Sequence, residues 1–197
     1  MDQQLRAYLE DLYRRGREHD AAKADRLQRL RNVEPDTAQL LALLVRALAA
    51  RRLLELGTSN GYSTLWLADA ARSIGGRVLS IDVDSERTAQ AAKHLAHTQL
   101  HEYVELRTED AALTLANADE HSRDMIFLDA ERPAYTGYWP DLIRVLRPGG
   151  LLVVDNAISH ASEVRAFRGL VADEPGVTEA LVPTGAGALL IVSDQSP

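Results

Sequence analysis

The stretch that decides the fold runs from Leu53 to Leu65 and has the sequence Leu-Leu-Glu-Leu-Gly-Thr-Ser-Asn-Gly-Tyr-Ser-Thr-Leu. An apolar run is followed by a turn that contains Gly57 and Gly61, and the residues after the turn suit the start of a helix. The two glycines let the backbone pass close to a ligand because no Cβ intervenes. Since ligands of open α/β sheets bind beside the carboxyl ends of the strands, we expect a ligand at this turn.

The residues of the turn indicate the charge of that ligand. A dinucleotide site needs G-x-G-x-x-G, which places a pyrophosphate on a helix N-terminus, but here Ser59 stands between Gly57 and Gly61. Glu55 lies just before the turn, where a carboxylate repels a diphosphate and attracts a cation. S-adenosylmethionine (SAM) carries an ammonium and a sulfonium and no phosphate, so we predict SAM. An NAD-type oxidoreductase on a similar sheet is the alternative.

A second acid supports this prediction. The apolar run Val78–Ile81 is followed by Asp82, close to where doubly wound folds place the carboxylate that binds both ribose hydroxyls. In the structural alternative, Asp82 or Asp84 caps the next helix.

From Arg52 onward, short apolar runs alternate with stretches of helical periodicity. The predicted strands are Leu53–Leu56, Val78–Ile81, Val104–Leu106, Met125–Leu128 and Leu151–Val154. The predicted helices are Ser63–Ala71, Glu86–Ala96, Ala111–Ala116, Tyr138–Leu146 and Ser162–Ala172. Continuous apolar strands that alternate with helices are typical of a parallel sheet covered on both faces.

The two ends of the chain differ from this pattern. Val177–Val182 and Ala188–Val192 flank a glycine-containing loop and predict an antiparallel hairpin. The fold class predicted is therefore α/β, a doubly wound, mostly parallel seven-stranded sheet with a C-terminal antiparallel hairpin. We expect one domain over residues 1–197, with N-terminal helices in 1–50 and the α/β core in 51–197.

The N-terminal region is predicted to hold three helices. Leu5, Tyr8, Leu9, Leu12 and Tyr13 form one apolar stripe at helical spacing. We expect Gly16 to end this helix, a second helix over residues 21–30, and a third that begins at Pro35. The stripe either packs on its own domain or joins two copies of the chain.

Composition excludes several classes of protein. The 197 residues carry a net charge of −7, and no cysteine is present for disulfides or thiolate metal sites. The basic cluster of Arg26, Arg29 and Arg31 lies among acids, so nucleic acid is not an expected partner. Apolar runs such as Leu151–Val154 are far shorter than the roughly 20 residues of a membrane span. The start lacks the pattern of a secretory signal, and we expect a cytoplasmic protein without a membrane partner.

The sequence resembles the catechol and caffeoyl-CoA O-methyltransferase-like group of class I methyltransferases, from about Val33 to the last hairpin. The first motif of the group corresponds to residues 55–63, and two more specific matches are residues 124–132 and 151–156. The resemblance implies a Rossmann-like methyltransferase sheet, SAM as the methyl donor, a small and catechol-like aromatic acceptor, and a homodimer. The cofactor-binding residues it implies are Val33, Glu55, Gly57, Thr58, Gly61, Ser63, Asp82, Glu109, Asp110 and Asp129, with Asn32 and Glu34 beside Val33 in a lid over the methionine end.

The resemblance also implies a divalent cation, usually Mg²⁺, held by Asp129, Asp155 and Asn156. Each of these follows an apolar strand, so their side chains should meet at one edge of the sheet, and their oxygen ligands suit Mg²⁺. Alternatively, Asp129 anchors the amino group of the cofactor, while Asp155 and Asn156 cap a turn. A methyltransferase without a metal, or a SAM-binding module without activity, therefore stays open.

One residue departs from the group. Members often have a lysine as general base three residues after the first metal-binding aspartate, and here that position is Arg132. A guanidinium stays protonated at physiological pH and cannot accept a proton. Arg132 therefore either stabilises an oxyanion or pairs with a surface acid, and we take Asp129 and Arg132 as the candidate catalytic residues. Tyr135 is the predicted substrate contact, and Trp139 is predicted to be buried.

Overall fold

The computed structural model describes residues 1–194, apart from the side chain of Leu27, and residues 195–197 of the predicted domain lie outside the described part. A seven-stranded sheet has the order β3-β2-β1-β4-β5-β7-β6. Its strands are β1 Arg52–Leu56, β2 Arg77–Asp82, β3 Val104–Thr108, β4 Arg123–Leu128, β5 Leu146–Val154, β6 Val177–Val182 and β7 Ala188–Ser193. Strands β1 to β5 are parallel, and β7 is antiparallel to both β5 and β6. The predicted doubly wound sheet with its C-terminal hairpin is confirmed.

The helices lie on both faces of this sheet. They are α1 Gln3–Ala21, α2 Pro35–Ala47, α3 Tyr62–Ile74, α4 Ser85–His97, α5 Ala111–Asn117, α6 Tyr135–Val145 and α7 Arg165–Asp173. One apolar cluster joins α1, α2 and α3 to one face, and a second joins α5, α6 and α7 to the other. No helix within residues 1–194 combines the length and apolar character that crossing a bilayer requires.

The register of the central strands fixes where the acids at their ends must lie. Leu56 at the end of β1 is paired with Ile81 of β2 and with Leu128 of β4. Leu128 is in turn paired with Val154 of β5. The residues that follow these four are Gly57, Asp82, Asp129 and Asp155, so the pairing brings them to one edge. This edge includes the point where strand order reverses between β1 and β4, the usual place of a ligand.

Two predictions about the N-terminal region are wrong. Helix α1 does not end at Gly16 but continues to Ala21, and residues 21–30 form only a single 3-10 turn at Arg26–Gln28. The carboxylate of Asp20 accepts hydrogen bonds from the backbone N–H groups of Leu30 and Arg31 at 2.6 and 2.9 Å, which holds this segment in a loop. A Cβ at position 16 would lie 2.5 Å from Asn32 Nδ2, so the glycine makes room for the side chain of Asn32.

The apolar stripe of α1 is buried within its own chain. Leu5, Leu9 and Leu12 belong to the cluster under α2 and α3. Tyr8 completes the contact with α4, because its hydroxyl lies 2.6 Å from His94 Nδ1 and its ring stacks on His97. An interface between two copies of the chain would therefore have to use other surfaces.

Candidate active site

A cavity of about 310 Å³ opens at the carboxyl ends of β1, β2, β4 and β5. The segment before α2 and the loops after these strands form its wall. Its lining residues are Arg26, Leu30, Arg31, Asn32, Glu34, Gly57, Ser59, Ile81, Asp82, Val83, Arg87, Glu109, Ala111, Asp129, Ala130, Glu131, Arg132, Tyr138, Asp155, Asn156 and His160. The predicted metal and catalytic residues Asp129, Arg132, Asp155 and Asn156 thus share one cavity with Gly57, Asp82 and Glu109 of the predicted cofactor set.

The turn after β1 packs directly on the backbone after β4. Gly57 has a φ of 108°, and a Cβ there would lie 2.2 Å from the carbonyl oxygen of Asp129. Ser59 also has a positive φ, and its N–H donates to Asp82 Oδ2 at 2.8 Å while its hydroxyl donates to the carbonyl of Leu30 at 2.8 Å. The turn is therefore fixed from both sides without a ligand.

Asp82 is held at the cavity wall and does not cap the next helix. Its Oδ1 accepts from the N–H of Asp84 at 3.0 Å, and it is Asp84 that caps α4. A carboxylate can accept further hydrogen bonds besides these, so Asp82 is available to a ligand hydroxyl. Glu109 also lines the cavity, where it accepts from the hydroxyl of Thr114 at 2.7 Å. Asp110 caps α5 and does not line the cavity.

Glu55 lies beneath the turn and does not line the cavity. The expectation that its carboxylate faces the ligand is therefore wrong. Its oxygens accept from the hydroxyls of Ser63, Thr64 and Ser80 at 2.5, 2.5 and 2.6 Å. Complete burial raises the pKa of Glu55 to about 7. Its charge also helps to raise the pKa of Asp129, so Glu55 acts on the cavity through its field rather than by contact.

Four other residues of the predicted cofactor set, Thr58, Gly61, Val33 and Ser63, are also absent from the cavity wall. Thr58 is buried, with its hydroxyl 2.6 Å from that of Ser80. Gly61 starts α3, and a Cβ there would lie 2.8 Å from the Cβ of Ala91. Val33 belongs to the apolar cluster, whereas its neighbours on either side line the cavity. With Glu55, these residues shape the turn instead of facing the ligand.

Asp129, Asp155 and Asn156 meet at the end of the cavity. Asn156 Nδ2 donates to Asp129 Oδ1 at 3.1 Å and to Asp155 Oδ2 at 3.0 Å. Burial raises the pKa of Asp129 to about 7 and that of Asp155 to about 8, and the charge of Asp129 contributes to the rise at Asp155. Two buried carboxylates this close disfavour each other's ionised form unless a cation lies between them.

The donor set fits a hard divalent cation. Asp155 Oδ1 is buried and has no hydrogen-bond partner in the described part of the chain, which leaves one anionic oxygen for a metal. Asn156 Oδ1 accepts from the hydroxyl of Ser159 at 3.3 Å. Rotation of the amide would place this oxygen where Nδ2 now lies, beside the two carboxylates, and make it available to a metal. Within residues 1–194 no three His, Cys, Asp or Glu side chains form a metal cluster, so the candidate set comprises two carboxylates and one amide.

The comparison with known families identifies the group. A family model described as O-methyltransferase matches residues 3–190. The chain belongs to the O-methyltransferase family. It is 38% identical over 130 residues to a catechol O-methyltransferase of Niastella koreensis, and this match covers 64% of the chain but only 58% of that relative. The chain therefore spans less than two thirds of the length of this relative.

Solved structures agree with the family. An O-methyltransferase from Bacillus cereus in complex with SAH, the demethylated product of SAM, superposes with a TM-score of 0.79 at 27% identity, covering 95% of this chain and 91% of that one. An O-methyltransferase from Streptomyces achromogenes involved in tomaymycin synthesis, in complex with SAM, gives a TM-score of 0.71 at 31% identity, covering 83% and 82%. Family membership decides against the NAD-type oxidoreductase that the sheet alone left open.

Arg132, which stands where many O-methyltransferases of this group have lysine, lies in the cavity wall. Its Nε donates to Glu163 Oε2 at 2.7 Å, and Glu163 is a partly exposed acid. The arginine itself is only 4% exposed, and its Nη2 is buried without a partner. Arg132 thus pairs with a surface acid, as one interpretation predicted, but its own guanidinium is not at the surface.

The predicted substrate contact at Tyr135 is wrong. Tyr135 is fully buried, its hydroxyl donates to the carbonyl of Ala130 at 3.0 Å, and its ring packs on Phe167. Helix α6 begins at Tyr135, so positions 135 and 139 share its buried face, and Trp139 is buried as predicted. Tyr138 lies on another face and lines the cavity. Helical periodicity counted from residue 135 would have separated the two tyrosines.

Sequence reasoning missed Arg31 and His160 as cavity residues, whereas Asn32 and Glu34, which the resemblance placed beside the cofactor, do line the cavity. Arg31 Nη2 donates to Glu131 Oε1 at 2.7 Å, which joins this segment to the loop after β4. The charge of Arg31 also opposes the burial that raises the pKa of Asp129. His160 lines the cavity as well. No local motif marks these residues because the tertiary fold alone brings them to the sheet edge.

Proposed function

We propose that this chain transfers the methyl group of SAM to a hydroxyl of a small aromatic acceptor with two adjacent hydroxyls, with the help of a divalent cation. The observation that carries this proposal is the convergence of Asp129, Asp155 and Asn156 at the end of the cavity, beside the Gly57 turn. Family membership supports methyl transfer to oxygen, and the name of the Niastella relative supports a catechol-like acceptor.

The cofactor would lie along the cavity from β1 to β3. Asp82 is placed to accept from ribose hydroxyls, and Glu109, Ala111 and Tyr138 border the adjoining part, where an adenine would fit. Gly57 and Ser59 border the opposite end, next to Asp129, where the methionine portion would lie. The SAH and SAM held by the two similar solved structures support this use of the cavity.

Asp129, Asp155 and Asn156 would hold the cation. A divalent cation at this place lowers the pKa of a bound hydroxyl and acts as a Lewis acid. The two carboxylates would also fix the adjacent hydroxyls of the acceptor relative to the Gly57 turn, because Asp129 contacts that turn through its backbone. Such positioning provides a large share of the rate in a direct transfer between two bound molecules.

The transfer itself needs one bond formed and one broken. The acceptor oxygen forms a bond to the methyl carbon as the carbon–sulfur bond of SAM breaks, and the hydroxyl proton leaves to solvent. Arg132 cannot take this proton, since a guanidinium stays protonated. The products are a methyl ether and SAH.

Metal-dependent turnover tests the proposal. Protein treated with EDTA is assayed on a panel of dihydroxyphenols with SAM, with and without added Mg²⁺, and SAH and methylated product are measured by mass spectrometry. We expect product only after Mg²⁺ is added. Equal turnover without metal would remove the cation from the proposal, and SAM binding without methylation of any phenol would leave a binding module.

A further inference from the structure

We propose that Arg132 binds a carboxylate carried by the acceptor, so that the enzyme prefers anionic dihydroxy-aromatic acceptors to their neutral counterparts. The inference rests on the proposed function because it concerns the acceptor of that reaction. It starts from one observation: Arg132 lines the cavity, is 4% exposed, and has a buried Nη2 that finds no hydrogen-bond partner within residues 1–194.

The position of this guanidinium is built into the fold. Arg132 opens a short 3-10 turn with Pro133 as its second residue. The loop before it is held by the hydroxyl of Tyr135, which donates to the carbonyl of Ala130 at 3.0 Å. Glu163 receives the Nε hydrogen bond at 2.7 Å from the outer side. The side chain is therefore fixed before any ligand enters.

A fixed, buried guanidinium requires an anionic partner on the cavity side. A buried donor without a partner costs stability, more so when it belongs to a charged group, and arginine cannot relieve this by losing its proton. Glu163 supplies one hydrogen bond but is itself partly exposed. A ligand carboxylate would supply the missing acceptor through a charge-assisted hydrogen bond.

Two other acids of the cavity wall, Glu131 and Glu34, already have partners. Glu131 lies 2.7 Å from Arg31 and 3.6 Å from Arg26. Glu34 accepts from the N–H of Ala186 at 3.2 Å. These pairs leave the cavity side of Arg132 for a ligand.

The reacting hydroxyl of the substrate does not supply the hydrogen-bond acceptor that Arg132 Nη2 lacks among the described residues. Asp129 and Asp155 together balance a divalent cation, and the sulfonium of SAM balances one phenolate. Glu163 balances the charge of Arg132 and binds its Nε, whereas Nη2 still has no acceptor in the part of the chain that the structure describes, and a carboxylate on the same ring would provide it. Arg132 follows Asp129 by three residues and lines the same cavity of about 310 Å³ as Asp129, Asp155 and Asn156, so a small ring in that cavity borders both the guanidinium and the candidate metal ligands.

Matched pairs of acceptors test the inference. The pairs are 2,3-dihydroxybenzoate and 3,4-dihydroxybenzoate, each with its methyl ester, and kcat/KM is measured for acid and ester. Calorimetry on protein loaded with SAH and Mg²⁺ gives the dissociation constants of the same compounds. We expect one acid to be preferred over its ester, and Arg132→Gln to reduce that preference about 10- to 100-fold in both measurements, the size of a charge-assisted hydrogen bond.

Three further variants keep the test interpretable. Arg132→Lys keeps the charge and should retain part of the preference. Glu163→Gln frees the guanidinium from its competing carboxylate and should increase the preference for the acid. Arg165→Gln removes an exposed cation from nearby α7 and should leave the preference unchanged. Melting temperatures identify any variant that fails to fold, and Glu163→Gln tests the inference without altering Arg132.

Other outcomes would overturn the inference. An equal loss of kcat for acid and ester in Arg132→Gln would place the guanidinium at the reacting oxygen. A loss of SAH affinity would place it at the cofactor. If the wild type methylates none of the compounds but binds the acid in an Arg132-dependent way, the proposed function fails and the carboxylate site at Arg132 stands. If the wild type methylates acid and ester equally well, the proposed function stands and the carboxylate site fails.

Discussion

Replacement of Gly57 by alanine should damage stability and methyl transfer together. The added Cβ would lie 2.2 Å from the carbonyl oxygen of Asp129, whereas even a weak C–H···O contact requires about 3.3 Å. The turn after β1 and the backbone after β4 must therefore separate by about 1 Å. Asp129 belongs to the candidate metal set. The shift would therefore move the part of the cavity beside Gly57, where the methyl donor would lie, away from the part beside Asp129, where the methyl acceptor would lie.

The magnitude follows from two contributions. A residue other than glycine at a φ of 108° pays about 1–3 kcal/mol of backbone strain, and the steric overlap adds about 1–3 kcal/mol. For a chain of this size the sum lowers the melting temperature by about 5–20 °C. Misplacement by about 1 Å at the reacting centre can reduce the rate about 100-fold.

A second glycine separates strain from overlap. Gly75 has a φ of 69°, but a Cβ there would meet nothing within 4 Å, so Gly75→Ala carries only the backbone strain. Thermal unfolding followed by circular dichroism, calorimetric titration with SAM, and turnover of a dihydroxyphenol are compared for both variants. If Gly57→Ala were no worse than Gly75→Ala in all three, the close contact between the turn and Asp129 could not be what positions the site.

The remaining predictions concern three acids. Asp82→Ala should weaken SAM binding by the loss of charge-assisted hydrogen bonds to the ribose, about 1.5–3 kcal/mol each, and unchanged calorimetric affinity would remove Asp82 from the cofactor site. Asp155→Ala should abolish Mg²⁺-dependent turnover but keep SAM affinity; loss of SAM affinity would assign Asp155 to the cofactor instead. Burial raises the pKa of Glu55 from 4.5 to about 7, so the native state holds this proton more tightly than the unfolded chain. The resulting stability is present below pH 4.5 and is lost as the pH rises towards 7. Urea unfolding between about pH 5 and pH 8 should show the wild type losing up to about 3 kcal/mol relative to Glu55→Gln, and parallel pH profiles would contradict the raised pKa.

The positions of the central strands were predictable because β1, β2, β4 and the second half of β5 are buried on both faces and appear as continuous apolar runs, whereas the edge strand β6 was recognised from the glycine-containing loop that follows it. The segment Val177–Val182 has the same bounds in the structure as in the prediction, and Leu53–Leu56 differs by one residue. The acids at the carboxyl edge followed from these strands, since parallel pairing leaves little freedom in where the next residue lies. The convergence of Asp129, Asp155 and Asn156 was therefore within reach of the sequence.

The errors arose where a distant contact overrides a local preference. Gly16 is a helix breaker by composition, but its missing Cβ accommodates Asn32 on the neighbouring segment, and the helix continues. Residues 21–30 have helical character, but Asp20 binds the backbone of Leu30 and Arg31. Glu55 was expected to face the ligand, yet three hydroxyls from α3 and β2 surround it. None of these partners is near in sequence except Ser63 and Thr64.

One backbone contact relates the two halves of the site to each other. Gly57 borders the part of the cavity that would hold the methyl donor, and Asp129 belongs to the part that would hold the acceptor. The carbonyl of Asp129 fills the space that a side chain at position 57 would need, and the N–H of Asp129 donates to the carbonyl of Leu56 at 2.9 Å. A transfer that requires oxygen, methyl and sulfur in line depends on this spacing, so in the proposed reaction the β1–β4 contact would set the distance between donor and acceptor before either substrate binds.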